Sequence, residues 1–212
     1  MSPAAAGLVL AAGTGSRFGR APKLLAEIDG RPLLQYAVDA LVAVPELDPV
    51  IVVLGAHAGR LQAGVEFGRA RTVLCADWAA GLSASLRCGV AAQPGAQRVL
   101  VALGDTPGLT PAVVERMLTA QPGTRACYGG IPGHPVLLGP EQLAGLDTLR
   151  GDVGARELLA GSDTIECGDL ASGADVDTPA DLDELSLRPR APRAAAAHRS
   201  QGPASRPPAG AG

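Results

Sequence analysis

Four short apolar runs constrain the fold of this chain more than any other feature: GLVLA (7–11), PVIVVLG (49–55), RTVLC (71–75) and RVLVALGD (98–105). Each reads as a strand with little polar character on either face. Strands of that kind need cover on both sides, which places them inside a parallel sheet with helices above and below. Helical segments fall between and after them. Gly30-Arg31-Pro32 opens one, with Pro32 at the first helical position and Leu33, Leu34, Ala37, Val38 and Leu41 on its apolar face. Gly81 to Val90 forms a second, Thr110-Pro111 caps and starts a third, and Thr178-Pro179 starts a last one ending near Leu187. ACYGG, GHPVLLG and DTIEC are weaker strand candidates. The expected fold class is α/β, a Rossmann-like open, mostly parallel sheet flanked by helices and joined by right-handed crossovers. Ligands of such sheets sit beyond the carboxyl ends of the strands, here just after Ala11, Leu54, Leu74 and Leu103.

Composition narrows the setting. With 212 residues, 47% hydrophobic but only 2% aromatic, the core of a single domain must be built from Ala, Val and Leu. No apolar stretch is long enough to cross a membrane as a helix. The first apolar run has no basic residue before it and passes directly into glycines, so it reads as a first strand and not as a signal peptide, and the expected location is cytoplasmic. Cys75, Cys88, Cys127 and Cys167 show no metal-binding spacing and are expected as buried, reduced thiols. The expected folded domain is 1–187. Residues 188–212 carry five Arg, no acid and no large apolar side chain, which describes a disordered, basic, Pro/Ala-rich tail read as a solvated extension. Thirteen basic residues and all 21 acids precede it, a net charge of −8, so no nucleic-acid partner is expected of the domain. Of 18 Lys and Arg, 17 are Arg; the one lysine is Lys23.

That lysine closes the segment LAAGTGSRFGRAPKL (10–24), which follows the first strand directly. Gly13, Gly15 and Gly19 allow backbone N–H groups to converge as an anion nest, and Arg17 and Lys23 add cations, so the loop reads as a cradle for a diphosphate or triphosphate. It is not a Walker loop, since no Gly-Lys pair is present, and the GxGxxG dinucleotide pattern is broken by Phe18. The segment does resemble the LAAGxGxRxG signature with its following lysine in nucleotidyltransferases related to the molybdenum-cofactor cytidylyltransferase and guanylyltransferase, the MobA/MocA-like family. The resemblance rests on Leu10, Ala11, Ala12, Gly13, Gly15, Arg17, Gly19 and Lys23. Further on, Asp77–Leu86 resembles the family's DWxxGxxxSL, Gly104–Gly108 its GDQPG with Thr106 in place of Gln, Gly130–Val136 its GxxGHPV, and Asp175–Leu182 its DIDTPxDL.

The resemblance implies a fold of the nucleotide-diphospho-sugar transferase type. It also implies transfer of a nucleoside monophosphate from an NTP to a phosphorylated acceptor such as molybdopterin, with pyrophosphate leaving. Such chemistry is carried by positioning and charge neutralisation. The cofactor implied is Mg²⁺, which takes one or two carboxylates plus phosphate oxygens; Asp105 is the first candidate ligand, and Asp177 or Asp175 the second. The catalytic candidates are Lys23, Arg17 and Asp105, with the compact ammonium following the phosphates through the reaction and the guanidinium holding the outer ones. Leu10, Ala11, Ala12, Gly13, Gly15, Ser16, Ser83 and Gly104 complete the expected nucleotide site, and Ser85, His134 and Pro135 the acceptor site. Ala at position 12 goes with cytidine in the family, which favours CTP. A receiving molybdoenzyme or its chaperone is the implied protein partner. Three alternatives stand beside this reading: a transferase acting on a phosphosugar, phosphoerythritol or phospholactate, a nicotinamide-dependent oxidoreductase like the family member described as reducing a nicotine-derived blue pigment, and a non-catalytic pterin-binding module.

Overall fold

All seven residues of β1 (Ala5–Ala11) are buried, as a strand with no polar side chain requires. The computed structural model describes residues 5–18, 21–159 and 161–187, with the side chains of Arg17, Arg156, Ser186 and Leu187 outside that description. After the glycine loop come a two-residue hairpin, β2 (Glu27–Ile28) and β3 (Arg31–Pro32), and helix α1 (Leu33–Val42). There follow β4 (Leu47–Leu54), α2 (Ala58–Gly64), β5 (Arg71–Leu74), α3 (Leu82–Ala91), β6 (Val99–Leu103) and α4 (Pro111–Thr119). The second half holds β7 (Thr124–Tyr128), β8 (Ile131–Leu138), α5 (Pro140–Ala144), β9 (Thr164–Glu166) and α6 (Pro179–Leu187).

The main sheet has seven strands in the order β5-β4-β1-β6-β8-β7-β9. β1 pairs in parallel with β4 and β6, β4 with β5, and β7 with β9, whereas β8 runs antiparallel to both of its neighbours. It is the mostly parallel α/β sheet expected from the apolar runs. Successive residues of β1 serve opposite faces. Val9 and Ala11 pack with Leu34, Val38 and Leu41 of α1 and with Val113, Val114 and Met117 of α4. Leu8 and Leu10 pack with Ala84 and Leu86 of α3 and with Leu146 and Leu149. Burying each such leucine contributes about 1.5–3 kcal/mol, so the two small-residue layers fix the sheet that carries the site.

Several local expectations shift. Pro32 is extended (φ −55°, ψ 143°) and pairs with Glu27 in the hairpin, so α1 begins one residue later, where Leu33 N–H donates to Ala26 O at 2.9 Å. Gly81 likewise caps α3 and is not its first residue. RTVLC is not an interior strand. It forms the sheet edge and leaves Leu74 66% exposed, because β5 has a neighbour on one side only. Thr110 caps α4 as anticipated, its hydroxyl accepting from Val113 N–H at 3.3 Å. All four cysteines are free thiols, but only Cys75, Cys127 and Cys167 are buried, Cys88 being half-buried on α3. Among the described residues no helix is long and apolar enough to cross a membrane. Gly19 and residues 188–212, read above as a tail, lie outside the described residues.

Candidate active site

The carboxyl ends of β4, β1 and β6 lie side by side, and the loops that leave them form the site. Ala12, directly after β1, is buried, and its carbonyl accepts from Ala56 N–H at 3.0 Å, which stitches the glycine loop to the turn after β4. That approach needs Gly55, since a Cβ there would stand 2.5 Å from Ala12 O. Gly15 adopts φ +61°, and a Cβ on it would stand 2.6 Å from Lys23 Cβ. Left-handed backbone and close approach together demand glycine there, and the space it leaves is filled by the lysine stem. Gly15→Ala is therefore expected to cost about 1–3 kcal/mol of stability and to lower turnover disproportionately by displacing Lys23; thermal unfolding and steady-state rates on the same preparation check this.

Lys23 starts a short turn (Lys23–Leu25) and is 8% exposed. Its Nζ donates to Asp105 Oδ2 and to Asp177 Oδ1, each at 2.8 Å. Burial alone would lower the pKa of such an ammonium, but the hydrogen bonds and charges of Asp105 and Asp177 outweigh it and hold it above its ordinary value. The two acids come from distant sequence. Asp105 follows β6, and Val176 N–H donates to Asp105 O at 3.0 Å, which lays the 175–177 segment alongside it. Asp177 is then fixed by the helix start behind it. Asp181 Oδ2 accepts from the N–H groups of Asp177 (2.9 Å) and Thr178 (2.7 Å), while Thr178 Oγ1 accepts from Asp181 N–H (3.3 Å). This reciprocal capping box closes α6. The two N–H donors, with the Thr178 hydroxyl, hold the Asp181 carboxyl below the usual carboxylate range.

Among the described residues one polar atom at the centre is left over: Asp105 Oδ1 is buried with no hydrogen-bond partner there. Among the described residues no three His, Cys, Asp or Glu side chains converge on one point. What the site offers an oxygen-seeking cation is a pair of carboxylates held together by one ammonium, with one buried oxygen in excess. That fits Mg²⁺, which uses one or two carboxylates and leaves its other positions to phosphate and water.

Two clefts meet at Asp177, the second acid of this pair. The first, about 510 Å³, runs under the glycine loop from Leu10 to Gly15 and past Lys23, Trp78 and Ser85. The second, about 810 Å³, is bounded by Thr106, Arg125, Tyr128 and the segment Ile131–His134. Leu82, Leu103, Asp152, Asp175 and Asp177 line both.

The profile of the MobA-like NTP transferase domain matches residues 7–166, which takes in the glycine loop, Lys23, Asp105 and both clefts' main walls. The chain belongs to that family. As a MobA-like NTP transferase it is an enzyme of the nucleotidyltransferase type, with the nucleotide-diphospho-sugar transferase fold. Nicotine blue oxidoreductase of Paenarthrobacter nicotinovorans is 36% identical over 195 residues, which cover 83% of this chain and 93% of that protein. The 2-C-methyl-D-erythritol 4-phosphate cytidylyltransferase of Ralstonia nicotianae is 36% identical over 139 residues, covering 61% of this chain and 55% of that one. Among solved structures, the manganese complex of Rv0371c from Mycobacterium tuberculosis H37Rv superposes with a TM-score of 0.71 at 27% identity, over 85% of this chain and 97% of that one.

In this MobA-like chain Leu10, Ala11, Ala12, Gly13, Gly15, Lys23, Asp105, Asp175 and Asp177 all line the first cleft. Ser16 is exposed in the short turn Ser16–Phe18, and the side chain of Arg17 lies outside the described residues. Gly104 is buried beneath the rim, its N–H donating to Leu10 O at 3.0 Å. The two serines of α3 stand elsewhere than expected. Ser83 is wholly buried with an unpartnered hydroxyl and lines neither cleft, whereas Ser85, expected on the acceptor side, lines the first. His134 lines the second cleft, but Pro135 is buried behind it in β8. Thr106, standing where the family usually has Gln, turns its hydroxyl to Leu103 O at 2.7 Å. Sequence reading missed Asp152 and Arg125. The glycines around Asp152 signal a turn, but nothing in the spacing marks Arg125.

Proposed function

We propose that this chain is an Mg²⁺-dependent nucleotidyltransferase that moves a nucleoside monophosphate, CMP in preference, from its triphosphate onto a phosphorylated acceptor such as molybdopterin. The observation that carries the reading is the buried Lys23 ammonium in the first cleft, 2.8 Å from both Asp105 and Asp177, of which Asp177 stands where the second cleft begins. One cleft has the size and the glycine-rich edge of a nucleotide site, and the other leaves room for a second substrate. In the reaction an acceptor phosphate oxygen forms a bond to the α-phosphorus. The bond from that phosphorus to the bridging oxygen breaks, and pyrophosphate departs with the electron pair.

The residues divide this work. Backbone groups of Ala11, Ala12 and Gly13 face the base, where the Ala12 methyl favours cytosine over a larger ring. Arg17 serves the outer phosphates, and Lys23 offsets negative charge at the reacting phosphate. Asp105 with Asp177 would hold the divalent ion, Asp175 being the exposed reserve at the same rim. When bound, the ion supplies Lewis-acid stabilisation of phosphate oxygens. Ser85 sits beside the nucleotide and His134 beside the acceptor, with Pro135 setting the strand behind it. The manganese found with the Rv0371c relative agrees with a divalent ion in this fold. The cytidylyltransferase relative agrees with CTP. We place the enzyme in the cytoplasm, delivering to a molybdoenzyme or its chaperone.

A second reading has one observation in its favour, the nicotine blue oxidoreductase relative matched over 93% of its length. A single experiment separates the two. The protein is incubated with each NTP, Mg²⁺ and, in turn, molybdopterin, a sugar phosphate and phospholactate, and pyrophosphate is followed; NAD(P)H oxidation is followed in parallel. CTP-dependent release with molybdopterin is expected. Oxidation of the nicotinamide with no release from any NTP overturns the transfer reading.

A further inference from the structure

Arg125 is a partly buried arginine with no polar partner among the described residues. The other arginines that reach into the structure are spent. Arg69 and Arg98 donate to backbone carbonyls, Arg87 donates to Leu149 O at 2.8 Å, and Arg116 is paired with Asp169. Arg125, on β7, makes no ion pair and no side-chain hydrogen bond among the described residues, and its Nε is buried without a partner. A buried donor left unmade costs stability, so its persistence on a rigid strand calls for a ligand.

Its placement says which kind. The backbone of Arg125 is held from both sides, paired with Val136 of β8 and Thr164 of β9, its N–H donating to Asp163 O at 3.1 Å. Its neighbour Ala126 belongs to the core on the α4 face, so Arg125 takes the opposite face, where it lines the second cleft. The wall above it is fixed too. Tyr128 Oη donates to His134 O at 2.7 Å, and the Glu166 carboxylate accepts from Gly129 N–H (2.9 Å) and Gly130 N–H (3.3 Å), locking the β7–β8 turn. Ile131 stands at the rim, 73% exposed. The junction with the first cleft carries Asp152, Asp175 and Asp177, which repel an anion, while Arg125 attracts one.

We propose that Arg125 anchors an oxyanion of the acceptor in the second cleft and thereby selects anionic acceptors, its planar fork donating to a phosphate or a carboxylate. The name acceptor rests on the transfer reading given above; the anion site does not. The test begins without turnover. In the ¹⁵N-labelled full chain the Arg125 Nε–H resonance is identified by its loss in Arg125→Met, and inorganic phosphate and acetate are titrated separately. A saturable shift of that resonance is expected, with Arg69, Arg87, Arg98 and Arg116 unmoved, and the anion that produces it names the group. Arg125→Met is expected to unfold at the same temperature as wild type or higher, since no hydrogen bond or ion pair to the described residues is lost; a structural arginine would give a clear drop. With an acceptor that supports pyrophosphate release, Arg125→Met raises the acceptor KM roughly 10- to 100-fold and leaves the NTP KM alone, and Arg125→Lys restores part of the loss. No saturable shift with either anion overturns the proposal even if transfer is observed. A shift without any transfer leaves the anion site standing and removes the transfer reading.

Discussion

Replacing Lys23 with methionine lowers turnover by about 10²–10³-fold, the usual effect of removing one preorganised electrostatic group from a charge-developing step. Methionine matches the stem that packs on Gly15 and deletes only the ammonium, so the loss reports charge. The site provides a reading that packing alone would not move. Lys23 holds the Asp105 and Asp177 carboxylates at 2.8 Å each, and without it two like charges face each other at the cleft floor. Mn²⁺ affinity, followed by the loss of its free electron-resonance signal, is expected to rise in Lys23→Met while turnover falls. A fall in both would show that the lysine only holds the loop in shape. Lys23→Arg keeps the charge but is also expected to lose most of the rate, because a residue only 8% exposed between two carboxylates leaves no room for a planar fork.

The central strands were legible because burial on both faces leaves only apolar residues to read. β1, β4 and β6 each bury nearly every position. β5 was over-read: its composition matches theirs, but composition does not say which strand is outermost. α2 escaped because it buries only Leu61 and includes two glycines, Gly59 and Gly64, so no apolar face recurs at helical spacing. The direction of β8 was unreadable, since chain reversal is set by the β7–β8 turn and not by side-chain pattern. The site divides along the same line. Lys23, Asp105 and Asp177 could be named from local motifs, but that they form one hydrogen-bonded cluster across separations of 82 and 154 positions is a property of the sheet order. Which of Ser83 and Ser85 reaches a cleft turns on which side of α3 faces the sheet, and helix phase cannot be fixed without knowing where the helix starts. Arg125 was invisible for a different reason. A strand residue's role depends on which face it serves, and the strand candidate ACYGG (126–130) begins one residue after Arg125, whereas the strand itself starts at Thr124.

Sequence likeness alone does not separate the transferase and oxidoreductase readings, since relatives that match this chain bear both names. The decision belongs to the carboxylates. Hydride transfer needs no metal-binding acid beside the substrate, whereas nucleotidyl transfer loses its charge balance without one, so Asp105 discriminates as Lys23 does not, a lysine being useful to any phosphate-bearing cofactor.

Asp105→Asn is accordingly expected to abolish measurable transfer, a loss of about 10³-fold or more, with little change in fold. The substitution is isosteric. The asparagine Oδ1 can still accept from Lys23, and Asp177 retains its own bond to the same ammonium, so the stability cost should stay near 1–2 kcal/mol. What disappears is the charge behind the unpartnered buried oxygen, and with it Mn²⁺ binding should weaken sharply. Asp175→Asn serves as the internal contrast: that side chain is exposed and makes no bond to Lys23, so a loss of about tenfold or less is expected there. The double variant Lys23→Met/Asp105→Asn should be no slower than the worse single variant, because residues that act as one unit are not additive. Additive losses would mean that ammonium and carboxylate serve separate steps. Near-full turnover in Asp105→Asn would remove the carboxylate from the chemistry and with it the case for a metal-assisted transfer.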